Sequence, residues 1–420
     1  MAHSSYWVDG RRPHPVYSKQ IRKVAGYSPP VSNRWGILGI IFLTRLSMGF
    51  QFQSIASVAP FLVDDFQIGY GQVGVLMGLY LLPGGVIALP GGMLGSRFGE
   101  RRLVLIGLTL MAAGGLILAA SDTFAVASAG RIVSGIGGVL MNVLLAKMVA
   151  DWFQGKEIAT AMGVMLTSWP IGMGLALAGL GTVAAQHSWR GAVHLTVVAA
   201  VVAFFLMLLF YRDPPAAPTG GAGRLIPGLA PRDLALATIG GLGWGVFNAS
   251  YVVFLSFAPA FLAVGTRSVG AAGAIVSLGI WVTLVSIPLG GLLADRLGRP
   301  NLFIGVGALS VALAMLAFPY FDSPAIWCVL VGMLAGASPG ALMSLLPKAL
   351  PQTALATGFG VYYTVFYLSM AAMPGVAGGL RDRYASPAAP LFFAAVLMAA
   401  VVLALVVFRA VERAPRTADV

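Results

Sequence analysis

Apolar stretches of about 20 residues recur along the whole chain, and they limit its possible folds more than any other feature. A helix needs roughly 20 apolar residues to cross the ~30 Å hydrocarbon layer of a bilayer. The chain has twelve such stretches, at about 36–62, 71–92, 103–121, 125–147, 158–182, 191–211, 234–262, 270–292, 301–320, 325–346, 355–380 and 388–409. We therefore predict an all-α polytopic membrane protein with twelve transmembrane helices.

The composition excludes the other broad classes. Of the 420 residues, 58% are hydrophobic and 10% are charged, whereas a soluble domain carries about 25% charged residues. A membrane β-barrel would show strands of about 10 residues that alternate apolar and polar positions. Stretches such as VVAAVVAFFLMLLF at 197–210 do not alternate. Helices are therefore expected throughout.

The basic residues predict how the chain is oriented. If the amino terminus lies inside, 20 lysines and arginines fall in cytoplasmic segments and four outside, which obeys the positive-inside rule. The first 35 residues lack the compact apolar core of a signal peptide, so we expect a basic cytoplasmic tail. We predict a multi-pass protein of the bacterial inner membrane with both termini in the cytoplasm. The net charge of +12 then reflects orientation and anionic lipid rather than nucleic-acid binding.

An internal repeat divides the chain into two halves. The segment PGGMLGSRFGER at 90–101 follows predicted helix 2, and LGGLLADRLGR at 289–299 follows predicted helix 8, at an offset of 199. The same offset relates the Ala-Pro pairs at 59–60 and 258–259. Six helices separate equivalent positions, so the halves have the same orientation and form a parallel pseudo-repeat. We predict a tail at 1–35, six-helix halves at 36–211 and 234–409, a Pro/Gly-rich linker at 212–233, and a tail at 410–420.

The second loop segment resembles the signature of the major facilitator superfamily, G-x-L-A-D-[RK]-x-G-[RK]. GLLADRLGR at 291–299 matches it, whereas the first copy has Ser96 at the position of the aspartate. The resemblance implies a secondary transporter that works by alternating access, as a monomer in the lipid bilayer and without a cofactor or metal. It also implies a gating role for the loop residues Gly92, Arg97, Gly99, Gly291, Asp295, Arg296, Gly298 and Arg299.

Two arginines, Arg45 and Arg131, remain inside predicted helices, with Arg45 about a third of the way along helix 1. All 14 acidic residues fall in tails, loops or helix ends, so no carboxylate is available at membrane depth. An arginine at a helix centre costs about 2.5–3.5 kcal/mol on insertion scales, and its planar fork suits a carboxylate. We predict that a small anion binds there. Arg131 has a structural alternative, in which it bonds backbone carbonyls and fixes the packing of helix 4.

Polar and aromatic residues on neighbouring helices could complete an anion site. Arg131 shares a helical face with Asn142, while Tyr363 and Tyr367 lie one turn apart on helix 11. Each aromatic residue has packing as its alternative. The predicted substrate-binding set is Arg45, Arg131, Gln53, Asn142, Asn248, Tyr251, Tyr363 and Tyr367.

These features favour a carrier of small anions, most simply an organic carboxylate. The run GFQFQSIASVAPFL and the ADWF segment at 150–153 resemble the bacterial cyanate and nitrate branches of the superfamily. The alternative is an exporter of amphipathic drugs or aromatic compounds, although a proton-driven exporter would be expected to hold a buried acid. The G-x-S-x-G match at 336–340 lies in an apolar helix, so we do not expect an enzyme. We expect Ser338-Pro339 to kink helix 10 instead.

Overall fold

The computed structural model describes residues 31–88, 95, 97–153, 157–214, 229–264 and 267–414. Twelve helices in this part of the chain are long and apolar enough to cross a membrane. The six of the first half are α1 (Val31–Ser57, continued by Ala59–Phe66), α2 (Tyr70–Leu79, continued by Gly84–Ile87), α3 (Glu100–Ala119), α4 (Phe124–Trp152), α5 (Ile158–Gln186) and α6 (Trp189–Phe210).

The second half contains six further spanning helices. They are α7 (Pro231–Leu262), α8 (Val269–Leu297), α9 (Pro300–Ala317), α10 (Pro324–Ala335, continued by Pro339–Met343 and Leu345–Ala349), α11 (Leu355–Tyr384) and α12 (Ala389–Arg413). The prediction of an all-α fold with twelve spanning helices is confirmed.

Several helices are longer than their apolar stretches. Predicted helix 4 was expected to end at about 147, yet α4 continues to Trp152, where Lys147 pairs with Asp151 one turn later. Helices 7, 11 and 12 likewise extend by about one turn beyond the predicted bounds. The apolar stretch marks only the part of a helix that lipid surrounds, and charged side chains in the terminal turns reach the water.

Prolines accompany the breaks in three of the spans, and the break in α1 falls at Val58, just before Pro60. Predicted helix 2 was expected to be continuous over 71–92, but α2 stops at Leu79, passes through a turn that contains Pro83, and resumes at Gly84. Residues 89–94, which include Gly92, lie outside the described residues. α10 breaks before Pro339, as expected for the kink at Ser338-Pro339. A proline cannot donate the i→i−4 hydrogen bond, so a helix bends or restarts there.

Equivalent glycines of the two loop copies both have a positive φ, although their ψ angles differ, at 130° for Gly99 and 23° for Gly298. Gly99 precedes α3 with φ +85°, and Gly298 follows α8 with φ +62°. Both angles lie in the left-handed region, which glycine enters without a Cβ clash. The two positions are related by the offset of 199.

The two halves meet along two helix pairs, α2 with α11 and α5 with α8. Gly74 and Gly78 of α2 lie directly against the backbone carbonyls of Pro374 and Ala371 in α11. In a bilayer the hydrophobic effect does not drive helices together, because lipid tails are as apolar as the side chains. Close backbone packing at small residues therefore contributes much of the attraction between membrane helices. We call the end of the molecule where α2 begins and α11 ends the Tyr70 end. The opposite end, where α3 begins, is the Gly99 end.

A carboxylate joins the halves at the Tyr70 end. Asp382, near the end of α11, accepts the backbone N–H groups of Tyr70 at 2.9 Å and Gly71 at 2.7 Å. The Arg381 guanidinium lies 3.5 Å from the centre of the Tyr70 ring. The first turn of a helix has unpaired N–H groups, which a carboxylate satisfies. The second half therefore caps a helix of the first.

Candidate functional site

Arg45 lies midway along the spanning part of α1, between Arg34 and Ser57. This position is deeper than the predicted third of the way, mainly because the unbroken helix ends at Ser57 rather than at 62. Its side chain is 9% exposed. The Nε atom donates to Oδ1 of Asn142 at 3.2 Å, and the guanidinium carbon lies 5.9 Å from the centre of the Trp169 ring. Arg45 thus contacts both α4 and α5.

A proline in α5 supplies part of this environment. The Nη1 atom of Arg45 donates to the carbonyls of Leu166 at 3.1 Å and Met165 at 3.3 Å. In a regular helix the Leu166 carbonyl would accept the N–H of residue 170, but residue 170 is a proline and has no N–H. The freed carbonyl is therefore available to the arginine. This is how irregular helices in membranes satisfy their backbone groups.

The second terminal nitrogen of Arg45 remains available. Within the described part of the chain, no residue accepts a hydrogen bond from Nη2, and no carboxylate forms an ion pair with Arg45. Every acidic residue that the structure describes lies in a loop or in a terminal turn of a helix. The buried positive charge at the centre of α1 is therefore not neutralised by the protein residues described.

Asn142 extends the contact to the other half. Its Oδ1 atom accepts from Arg45, and its Nδ2 atom donates to the hydroxyl of Tyr367 at 3.0 Å. Tyr367 lies on α11 and is 4% exposed. Three of the predicted residues thus form one hydrogen-bonded chain across the interface between the halves.

Arg131 has a different environment from Arg45. It is fully buried, and its three guanidinium nitrogens donate to the backbone carbonyls of Leu76 (2.9 Å), Gln51 (3.2 Å) and Phe52 (3.3 Å). The carbonyl of Leu76 is free because the N–H of Tyr80 bonds to Met77 where α2 ends. With its three nitrogens satisfied, Arg131 fits the structural alternative and not the predicted contact with substrate.

The remaining predicted residues lie at different distances from this chain of bonds. Tyr363 precedes Tyr367 by one turn and packs edge-on against Phe366 at 6.1 Å. Gln53 lies about 12 Å further along α1, where its Nε2 atom donates to Ser256 of α7 at 3.4 Å. Its Oε1 atom is buried without a partner among the described residues.

Asn248 and Tyr251 of α7 do not join the Arg45 chain. The Nδ2 atom of Asn248 donates to the carbonyl of Trp244 in its own helix at 2.8 Å. The hydroxyl of Tyr251 points towards Gly279 of α8 and has no partner among the described residues. In this structure, therefore, no hydrogen bond links either side chain to the arginine.

Aromatic rings continue from the Arg45 chain into the second half. The Tyr367 ring packs edge-on against Phe366 at 5.1 Å, and Phe366 stacks with Trp244 at 6.3 Å. Trp244 in turn stacks on Phe247 at 5.9 Å. On the other side of Arg45, Trp169 packs against Phe52 at 5.4 Å. The charged and polar group thus has apolar, aromatic surroundings on both sides.

The loop residues of the predicted gating motif lie at the Gly99 end. Arg97, Asp295, Arg296 and Arg299 are exposed, and Gly291 is half-buried. Among the described residues, none of the four charged side chains forms an ion pair. The gating role of these residues stays a prediction.

Some contacts of this site were absent from the sequence prediction. Ser168, whose Oγ lies 3.5 Å from Nη1 of Arg45, was not predicted, and neither were the two carbonyl acceptors of α5. Every residue has a carbonyl, so the side-chain pattern carries no direct signal for these contacts. Pro170 was the available signal, since a proline inside a helix predicts an unpaired carbonyl four residues earlier.

Comparison with known proteins identifies the family. The sequence model described as "Major Facilitator Superfamily" matches residues 41–374 and 234–419. The chain is 25% identical to the lysosomal dipeptide transporter MFSD1 of Danio rerio over 89% of its length and 86% of the relative's. It is 28% identical to the 3-(3-hydroxy-phenyl)propionate transporter of Escherichia coli (strain K12), over 81% of this chain and 85% of the relative.

Solved structures show the same fold. The chain superposes on the D-xylose-proton symporter with a TM-score of 0.72 at 17% identity, over 90% of this chain and 97% of the other. The expected resemblance to the superfamily and the expectation of a transporter rather than an enzyme are confirmed, whereas the resemblance to the cyanate and nitrate branches stays a prediction. The protein belongs to the major facilitator superfamily and is a multi-pass membrane transporter.

Proposed function

We propose that this transporter carries a small organic anion whose carboxylate binds Arg45. The observation that supports the proposal is the free Nη2 of Arg45, on a buried guanidinium without a carboxylate partner among the described residues. A charged group in the bilayer interior is costly unless it is paired. An anionic substrate would supply the missing charge, and Nη2 would donate to one of its oxygens.

The surroundings of Arg45 favour a substrate with an aromatic or apolar body. Trp169 lies on one side of the guanidinium, and Tyr367 leads to the ring of Phe366 on the other. Aromatic side chains contribute both apolar area and ring-stacking geometry to a ligand. The E. coli relative is named for 3-(3-hydroxyphenyl)propionate, which combines a carboxylate with an aromatic ring. We propose an aromatic carboxylate as the substrate class.

The contacts between the halves support alternating access. The halves are joined at the Tyr70 end by Asp382, and near the site by the bond between Asn142 and Tyr367. With the predicted orientation, the Tyr70 end faces away from the cytoplasm, and both termini lie inside. Asn142 accepts from Arg45, so an anion that repositions the guanidinium also acts on the contact between the halves. We propose that substrate binding controls the two states in this way.

Thermal stabilisation of the purified protein tests the proposal. The ligands are 3-phenylpropionate, its neutral analogue 3-phenylpropan-1-ol, its cationic analogue 3-phenylpropylamine, and acetate. A ligand at 100 times its dissociation constant stabilises the folded state by about 2.7 kcal/mol. We expect stabilisation by 3-phenylpropionate and not by the alcohol or the amine, with loss of the effect in Arg45→Gln. Arg383→Gln, at an exposed position of the Tyr70 end, serves as the control and should keep it.

Three outcomes would contradict the proposal. Equal stabilisation by the carboxylate in wild type and Arg45→Gln would remove Arg45 from the site. Stabilisation by the amine or the alcohol alone would favour an exporter of amphipathic or aromatic compounds. If acetate stabilises the protein as strongly as 3-phenylpropionate does, the site binds a carboxylate but does not select for an aromatic ring.

A further inference from the structure

A groove at the Gly99 end lies apart from the Arg45 site, beside the start of α3 and the end of α6. It encloses about 660 Å³. Its charged lining residues are Arg97, Glu100, Arg101, Arg102 and Asp213, and its other lining residues are Phe98, Gly99, Leu105 and Leu208. Three arginines thus line one groove at the surface of the membrane region.

The positive charge of the groove is only partly balanced. Glu100 is engaged by the ammonium group of Lys147, so it is not free to neutralise the arginines. Asp213 is exposed and makes no ion pair with a described residue. Arg101 is held in place because its Nη2 donates to the carbonyl of Leu208 at 2.7 Å, while its Nε is buried without a partner. The groove therefore favours an anionic group with several acceptor oxygens.

The walls of the groove change from charged to apolar along the helices. Leu105 and Leu208 lie below the arginines. Further from the Gly99 end, the faces of α3 and α6 continue with exposed apolar side chains, with Ile106 at 51%, Phe205 at 51% and Val202 at 52% exposure. Arginines at the water boundary above an apolar helix face match a molecule with an anionic head and apolar chains.

We propose that this groove binds the phosphate group of an anionic phospholipid, with Arg97, Arg101 and Arg102 around the headgroup and the acyl chains along α3 and α6. Arginine binds phosphate oxygens through its planar fork. Basic pockets between transmembrane helices bind anionic headgroups in this way. Free phosphate offers the same oxygens, so the test separates the two sources.

Native mass spectrometry of the full-length protein in detergent tests the proposal, with dioleoyl phosphatidylglycerol and dioleoyl phosphatidylcholine as probes. The test variant Arg97→Gln/Arg102→Gln removes two exposed arginines and leaves the bond between Arg101 and Leu208. The control variant Arg267→Gln/Arg383→Gln removes the same net charge at the Tyr70 end. Each basic residue near an anionic lipid contributes about 1 kcal/mol, so we expect about 25-fold weaker phosphatidylglycerol binding in the test variant. The control should remain within about twofold of wild type.

Further measurements distinguish a phospholipid headgroup from free phosphate as the ligand. Arg102→Gln alone should weaken binding about fivefold, and it replaces the double variant if that variant does not fold. Unchanged phosphatidylglycerol binding in the test variant, an equal loss in the control, or equal binding of phosphatidylcholine would overturn the proposal. Inorganic phosphate that occupies the groove as tightly as phosphatidylglycerol would assign the site to free phosphate instead. Weak phosphate binding, together with the losses expected above, supports the lipid.

Discussion

The carboxylate of Asp382 accepts the backbone N–H of Tyr70 at 2.9 Å, so the last turn of α11 in one half caps the first turn of α2 in the other. Unlike a side-chain ion pair, this bond requires that α2 begin at the position where α11 ends. The close packing of Gly74 and Gly78 against α11 continues the same contact into the membrane. Opening at the Tyr70 end must break the cap before it separates the helices.

We predict that Asp382→Ala shifts the transporter towards opening at the Tyr70 end. Loss of a helix cap costs about 1 kcal/mol, which corresponds to about fivefold in the open population. The variant Ser256→Cys, at a buried position of α7 beside Gln53, reports the opening through its rate of maleimide labelling. Background labelling should be low, because the single native cysteine, Cys328, is buried.

The control for the cap is Asp322→Asn, which removes another exposed carboxylate at the same end of the molecule. Its labelling rate should equal that of the parent. If Asp382→Ala labels no faster than this control, the cap does not hold the end closed.

Arg131 should be required for folding rather than for substrate. Replacing it with methionine leaves three buried carbonyls, those of Gln51, Phe52 and Leu76, without the donor they have now. At about 1 kcal/mol for each bond, we expect the free energy of unfolding to fall by about 3 kcal/mol. Denaturation in detergent measures this loss. The folded fraction should bind 3-phenylpropionate as wild type does, and a stable variant without anion binding would reverse the assignment.

Pro170 should affect anion binding without contacting the anion. Pro170→Ala restores an N–H that can bond to the Leu166 carbonyl, which then competes with Nη1 of Arg45 for this acceptor. Loss of the hydrogen bond that positions the Arg45 guanidinium should weaken anion binding by about 1 kcal/mol. This corresponds to an approximately fivefold higher dissociation constant for 3-phenylpropionate. Calorimetric titration measures it. Pro288→Ala in α8 is the matched change in the other half, and an equal effect there would mean that general flexibility, not the carbonyl, is responsible.

The hydroxyl of Tyr367 should couple the site to the interface between the halves. Tyr367→Phe removes the acceptor of Asn142, and Asn142→Ala removes the other partner of the same bond. A double-mutant cycle on the free energy of unfolding should give a coupling of about 0.6 kcal/mol or more, as for other hydrogen bonds between membrane helices. Tyr363→Phe, one turn away, should show no such coupling with Asn142→Ala. Coupling of equal size at both tyrosines would refute a specific bond.

The fold could be read from the sequence because a bilayer leaves few options. Apolar length alone identified the twelve helices, and the equivalent glycines at 99 and 298 both have a positive φ. The ends of the helices were harder to predict, because a helix such as α4 continues past its apolar stretch into water.

The candidate site was predictable only where side-chain chemistry was unusual. Arg45 and Asn142 stood out as polar groups in apolar helices, and the structure places them in contact. The difference between Arg45 and Arg131 could not be read from the sequence, because it depends on backbone carbonyls that every residue has. Asp382 looked like an ordinary loop acid, and its role depends on how α11 lies against α2.

The unpaired charge of Arg45 makes the protein sensitive to the membrane potential. A transporter that binds an anion at this guanidinium is electrically balanced at the site when loaded and cationic there when empty. Moving one elementary charge through a potential of 100 mV changes its energy by about 2.3 kcal/mol. A potential that is negative inside would therefore act mainly on the empty protein and hold its arginine open to the inner side. Closure at the Tyr70 end, which faces outwards in the predicted orientation, is the resting state that such a voltage would select.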